Sequence, residues 1–269
     1  MKYLFATLAA MILIFGAGYL LARLLIKKAP PKHRGLKTAL LTFLCGSALL
    51  LLAALIYFGS YYRADETAKA ALQGNETVSV TEIDGGYFFD GPGSRQALIF
   101  YPGAKVECEA YAPLMLTLTE RGFDCFLVDV PLNFALLGEN LAEKFLSAYC
   151  YESWLTAGHS MGGIVAADYA QKHPENIDGV VLLASYTTTA LNDTLKLCSI
   201  YGSEDGCLER KVYADNQSHW PEGSAELVIE GGNHAQFGSY GAQKGDGIAA
   251  VSAMEQWELT AAAIGDLFA

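Results

Sequence analysis

Two apolar stretches, residues 3–22 and 38–58, carry no charged side chain and differ from everything that follows them. Wound as helices, each would span about 30 Å, the thickness of a bilayer's hydrocarbon core, so the pattern predicts two transmembrane helices. A secretory leader is the rival reading for the first, since Lys2 precedes it. Its apolar run exceeds the roughly 7–15 residues of a leader's core, and Tyr19, Leu20, Leu21, Ala22 and Arg23 offer no small-residue cleavage site. The chain is therefore expected to begin with a transmembrane helical hairpin over residues 1–62.

Beyond it the period changes. Residues 63–84 read as a tether and first strand, and 85–269 as one α/β domain. Residues 78–83 and 85–89 suit a leading hairpin. The near-continuous apolar runs at 123–130 and 177–184 suit strands buried on both faces, and further strand patterns fall at 96–101, 154–157, 195–201 and 225–230. Helical patterns fall at 107–121, 139–149, 162–172 and 249–268. Such alternation predicts a doubly wound, mostly parallel sheet with helices on both sides. Only about a dozen residues separate 184 from 196, too few for a helical cap at about ten residues per helix. The cleft is expected to be open, walled by 231–247 and 132–137 unless these are ordinary surface loops.

Charge adds orientation. The connector between the apolar stretches carries Arg23, Lys27, Lys28, Lys32, Arg34 and Lys37 and no acid, so the positive-inside rule assigns it to the cytoplasm and both chain ends to the far side. All 29 acidic residues follow Ala64, against ten of the 18 basic ones, which leaves the α/β domain at −19. That balance excludes nucleic acid as a partner, because phosphate binding needs a basic footprint.

The chemistry centres on Gly158-His159-Ser160-Met161-Gly162-Gly163, set between a strand pattern and a helix pattern. This is a G-x-S-x-G elbow, in which small residues on either side of the serine let strand and helix approach and leave the hydroxyl exposed. Ser160 is the expected nucleophile. An acid follows the 195–201 strand in Gly202-Ser203-Glu204-Asp205-Gly206, where Asp205 is preferred to Glu204 because its shorter side chain leaves less slack for orienting an imidazole. His234, in Gly231-Gly232-Asn233-His234, is the expected general base. His33, His159, His173 and His219 read as structural or solvated.

Ser160, Asp205 and His234 follow the chain order of α/β-hydrolases. The stretches 100–106, 200–206 and 231–238 resemble the alpha/beta hydrolase fold 5 group, akin to dienelactone hydrolases, and the similarity runs over about residues 78–268. Dienelactone hydrolases use a cysteine nucleophile, where this chain has Ser160. The resemblance implies that the backbone N–H groups of Met161 and Ala104 form the oxyanion hole. Nothing in the sequence calls for a cofactor, since no phosphate-cradling glycine motif is present.

Of six cysteines, Cys45 lies in the second apolar stretch, leaving Cys108, Cys125, Cys150, Cys198 and Cys207. Cys198 and Cys207 flank the acid and are candidates to brace it by a disulfide, although Cys125 and Cys198 also read as small buried hydrophobes. No spacing resembles a zinc site. Asn75, Asn192 and Asn216 each open an N-x-S/T triplet. The expectation is a membrane-anchored serine hydrolase cleaving carboxylic esters, thioesters or lactones through an acyl-enzyme. An acyltransferase on the same triad and a non-catalytic receptor or scaffold are the alternatives.

Overall fold

A computed structural model describes residues 2–26 and 34–268. Its backbone contacts divide the chain into Met1–Ser60 and Tyr61–Ala269. The first unit contains helices α1 (Lys2–Leu25) and α2 (Arg34–Gly59). They meet where a Cβ on Gly18 would lie 2.8 Å from the Gly46 nitrogen, so backbone packs against backbone. Within α2, Gly35–Gly59 is long and apolar enough to cross a membrane; Ala10–Leu25 is a shorter apolar helix. Of the two spans expected, one thus meets the length required among the described residues. Lys27, Lys28 and Lys32 of the basic connector lie outside the described residues.

The second unit opens with α3 (Glu66–Ala71), capped by Asp65, whose Oδ1 accepts the Ala68 N–H at 3.0 Å. This segment was expected to be a tether. Instead Ala64, Ala68 and Ala71 are buried in the core, and the helix escaped notice because six residues are too few to display a 3.6-residue period.

Strands β1 (Ser79–Ile83), β2 (Gly86–Asp90), β3 (Gln96–Tyr101), β4 (Phe123–Val128), β5 (Ser153–His159), β6 (Gly179–Leu183), β7 (Lys196–Gly202) and β8 (Ala225–Ile229) form one mixed sheet in the order β1-β2-β4-β3-β5-β6-β7-β8. β1 pairs antiparallel with β2 and β2 with β4; the remaining pairs are parallel. Alternate residues face opposite cores. Leu98, Phe100, Leu155 and Ala157 join the helices α4 (Ala112–Glu120) and α8 (Ala253–Phe268), while Ala97, Ile99, Tyr101 and Phe126 join α5 (Ala142–Ala148) and α6 (Met161–Lys172). Both faces are covered, which is why these strands read as unbroken apolar runs.

Helix boundaries differ from the pattern where local chemistry intervenes. The stretch expected to be helical from 107 starts as a 3-10 turn at Cys108–Tyr111, and α4 begins only at Ala112, with Pro113 in its first turn. α8 begins at Ala253, where Ser252 Oγ accepts the Glu255 N–H. α7 (Arg210–Asn216) was not anticipated.

After β3 the chain goes outward to β4 and then returns to place β5 on the other side of β3. The carboxyl ends of β3 and β5 therefore flank a switch point in strand order, where open α/β sheets leave a crevice for ligands.

Candidate active site

Ser160 alone separates β5 from α6, at φ 53 and ψ −122. For a residue with a side chain such a backbone costs roughly 1–3 kcal/mol and persists only when its surroundings hold it. Here the Ser160 N–H donates to the Leu183 carbonyl at 2.9 Å, and its own carbonyl accepts from Ser185 Oγ at 2.6 Å. A Cβ on Gly158 would fall 2.3 Å from the Gly162 carbonyl, and one on Gly162 would fall 2.2 Å from the Tyr101 oxygen. Only glycines allow β3, β5 and the first turn of α6 to come this close.

β7 delivers Asp205 and β8 delivers His234. The two are buried, and His234 Nδ1 lies 2.9 Å from Asp205 Oδ2. Asp205 Oδ1 accepts the N–H groups of Cys207 and Leu208, each at 2.8 Å. Burial by itself would raise the Asp205 pKa, but the hydrogen bond and charge of His234, with those two amides, hold it below the ordinary aspartate value. An ionised carboxylate only accepts, so Nδ1 is the donor in this bond, an orientation that in the neutral ring leaves Nε2 as an acceptor. The neighbouring Glu204 is exposed, and its carboxylate accepts from Ser203 Oγ at 3.2 Å.

Ser160, His234 and Met161 line one cavity of about 180 Å³. Among the described residues, the Ser160 hydroxyl has no hydrogen-bond partner; in the absence of substrate such bonds are commonly long. Apart from His234, the cavity walls are not 231–247 and 132–137, as anticipated. They are Ala184, Ser185 and Tyr186 after β6, and Cys207, Leu208 and Glu209 after β7, because these two strands lie on the β5 side of the switch point. Leu132, Leu136 and Leu137 are exposed instead, and the 231–247 loop borders a separate cavity of about 460 Å³.

The loop after β3 abuts the first turn of α6, since the Pro102 oxygen lies 2.5 Å from where a Gly162 Cβ would be. It carries Ala104. Among the described residues the N–H groups of Ala104 and Met161 donate to no protein acceptor. Unengaged N–H groups are what an oxyanion requires; Met161 lines the Ser160 cavity, and Ala104 stands on the loop behind it.

Three supporting residues were missed. Asp246 accepts N–H groups from the loops that carry Asp205 and His234: Oδ1 from Gly206 (3.1 Å), His234 (3.2 Å) and Gly247 (2.9 Å), and Oδ2 from Ala235 (2.8 Å). Gln256, fully buried on α8, takes the Asn233 N–H at 3.1 Å and donates to the Asn233 carbonyl at 2.9 Å, which fixes the turn before His234. His159, read as structural, lies with its ring 4.4 Å from that of His234, and its Nδ1 is 2.8 Å from Tyr111 Oη, which also accepts the Gly103 N–H. Burial, then the charge of His234, push the His159 pKa well below its usual value, with the His234 main chain pulling weakly the other way. It is a neutral ring bridging the elbow and the β3 loop. Of the other histidines, His173 stacks on Tyr169, His219 ends a 3-10 turn, and His33 lies outside the described residues.

Asp205, Cys207 and Asp246 bring possible ligand atoms within 4.8 Å of one another. Their carboxylate oxygens already accept amide or imidazole N–H groups, a donor arrangement built for anions. All six cysteines are free, so no bridge joins Cys198 to Cys207; Cys198 is a small buried residue within β7.

Residues 97–258 match the sequence profile of the Alpha/beta hydrolase family, and the chain belongs to that family. A protein of Mycobacterium phage D29 that carries the name non-heme haloperoxidase is 27% identical over 116 residues, 39% of this chain and 41% of its own length. The match thus spans less than half of that relative. Among solved structures, a dienelactone hydrolase from Anabaena variabilis ATCC 29413 superposes with a TM-score of 0.54 at 15% identity, over 72% of this chain and 98% of its own. A hyperthermophilic esterase from the archaeon Pyrobaculum calidifontis gives 0.51 at 14%, over 74% and 88%. At such identities the likeness is one of fold.

Proposed function

We propose that the protein is a membrane-anchored serine hydrolase that cleaves carboxylic esters, thioesters or lactones through an acyl-enzyme. The observation that carries this reading is a strained Ser160 sharing a cavity with an imidazole already oriented by a buried carboxylate. Ser160 attacks the carbonyl carbon as His234 Nε2 takes its proton, and the N–H groups of Met161 and Ala104 stabilise the oxyanion. His234 then protonates the leaving alcohol; water, activated by the same ring, releases the acid.

A cavity of 180 Å³ is small beside the roughly 300–1,000 Å³ of most ligand pockets and favours a short acyl group. The charge of −19 disfavours polyanionic substrates. Anchoring rests on α2, with α1 as a second crossing, the basic connector in the cytoplasm and the hydrolase unit on the outer face. Ser160→Ala should lower hydrolysis of p-nitrophenyl acetate by about 10³-fold or more and remove fluorophosphonate labelling while leaving the far-UV circular dichroism unchanged. Retained turnover in that variant would refute the assignment.

A further inference from the structure

The residues that open the second unit grip both of the loops that complete the site. Tyr62 forms a parallel bridge with Val106: its N–H donates to the Lys105 carbonyl at 2.8 Å, and its carbonyl accepts the Glu107 N–H at 2.9 Å. The Ala64 N–H donates to Glu107 Oε2 at 2.8 Å. These bonds fall on the loop that carries Ala104. Four more contacts fall on the loop after His234. Tyr62 Oη accepts the Lys244 N–H at 3.1 Å, and its ring lies 5.5 Å from that of Tyr240. The Asp65 N–H donates to the Ser239 carbonyl at 3.0 Å, and Ser239 Oγ reaches both Asp65 oxygens, at 2.9 and 3.0 Å.

Lys105, next to Ala104, has φ 60, a left-handed conformation that a lysine keeps only under external constraint. Its N–H is held by the Asn133 carbonyl at 2.7 Å, and its carbonyl by Tyr62. The Gly103 carbonyl, in the same peptide unit as the Ala104 N–H, accepts the Val106 N–H at 3.3 Å, and Tyr62 holds Val106 from both sides through Lys105 and Glu107. Tyr62, Ala64 and Asp65 all stay out of the wall of the 180 Å³ cavity. In sequence this segment directly follows α2, which ends at Gly59.

We propose that residues 62–65 are a positioning strap, which aims the Ala104 N–H through Lys105 and braces the His234 loop through Ser239 and Lys244. The strap acts on the chemical step and not on substrate binding. This inference rests on the serine-hydrolase reading.

The test uses the full chain in detergent with p-nitrophenyl acetate, with kcat expressed per Ser160 titrated by fluorophosphonate. Tyr62→Pro removes the N–H donated to Lys105, and Ser239→Ala removes the hydroxyl held by Asp65. Lys69→Ala, at an exposed ion pair on α3, is the control and should match the native chain. Misaiming an oxyanion donor should lower kcat by about tenfold or more in Tyr62→Pro and by about threefold in Ser239→Ala, with KM unchanged. A merely structural role would lower the fraction of titratable sites and leave kcat per site intact, and that result overturns the strap. Should Tyr62→Pro fail to fold, Ser239→Ala decides alone, since it leaves every backbone bond available. A native chain that fluorophosphonate does not label at Ser160 overturns the hydrolase reading and the strap together, whereas labelling and turnover that survive both substitutions overturn the strap alone.

Discussion

His159 occupies the position before Ser160, yet its effect is felt most in how the molecule responds to acid. Burial and the adjacent His234 charge keep it neutral in the native state well below 6.5, the ordinary value, at which an unfolded chain would begin to take up a proton. Its contribution to stability is thus complete above pH 6.5 and declines as pH falls toward the lowered native value, by up to about 1.4 kcal/mol per pH unit. Asp205 acts in the same direction at lower pH, since its native value lies below the usual 3.8. Between pH 7 and 5, His159→Gln should lose less stability than the native chain, as measured by Tm in detergent. Equal pH slopes would contradict the assignment. The candidate residues Ser160, Asp205 and His234 were legible in the sequence as short motifs at strand ends. Asp246, Gln256 and His159 were not. Asp246 acts by accepting amides from two distant loops, and Gln256 looks like any polar residue on a helix until the fold turns it inward.

At the scale of elements, the elbow depends on space that a single methyl group would fill. In Gly162→Ala the new Cβ would meet the Tyr101 oxygen at 2.2 Å and the Pro102 oxygen at 2.5 Å, backbone atoms at and just after the end of β3 that cannot swing aside as a side chain could. The first turn of α6 must retreat, taking the Met161 amide with it. The rate of fluorophosphonate labelling at Ser160 should fall by about 100-fold. Gly265, in α8, is the counterpart, because nothing lies within 4 Å of a Cβ placed there. Gly265→Ala should stabilise by about 0.5–1 kcal/mol through helix propensity and leave labelling unchanged. The strands of the sheet were readable from unbroken apolar runs, as was the leading antiparallel pair. The short helices α3 and α7 were not, since neither is long enough to repeat an apolar face and both owe their form to packing.

For the whole molecule, the open question of topology has a direct handle. Cys150 is exposed, Cys108, Cys125 and Cys198 are buried, and Cys45 lies in α2. If the hydrolase unit faces outward, a membrane-impermeant maleimide should label intact cells through Cys150, and Cys150→Ser should remove most of that signal. Labelling that appears only after permeabilisation would reverse the orientation drawn from the basic connector. The cavity walls and the packed segment at 63–84 belong to this scale too, because each depends on which strand ends meet in space, and hydrophobic periodicity carries no such information. The six unpaired thiols have a further bearing. No covalent tie other than the backbone joins one element to another, so the folded state makes no demand on the glutathione poise of its surroundings. On the proposed anchoring, the same architecture could stand on the reducing or the oxidising side of a bilayer, and moving a few lysines would invert it without redesign of the α/β unit.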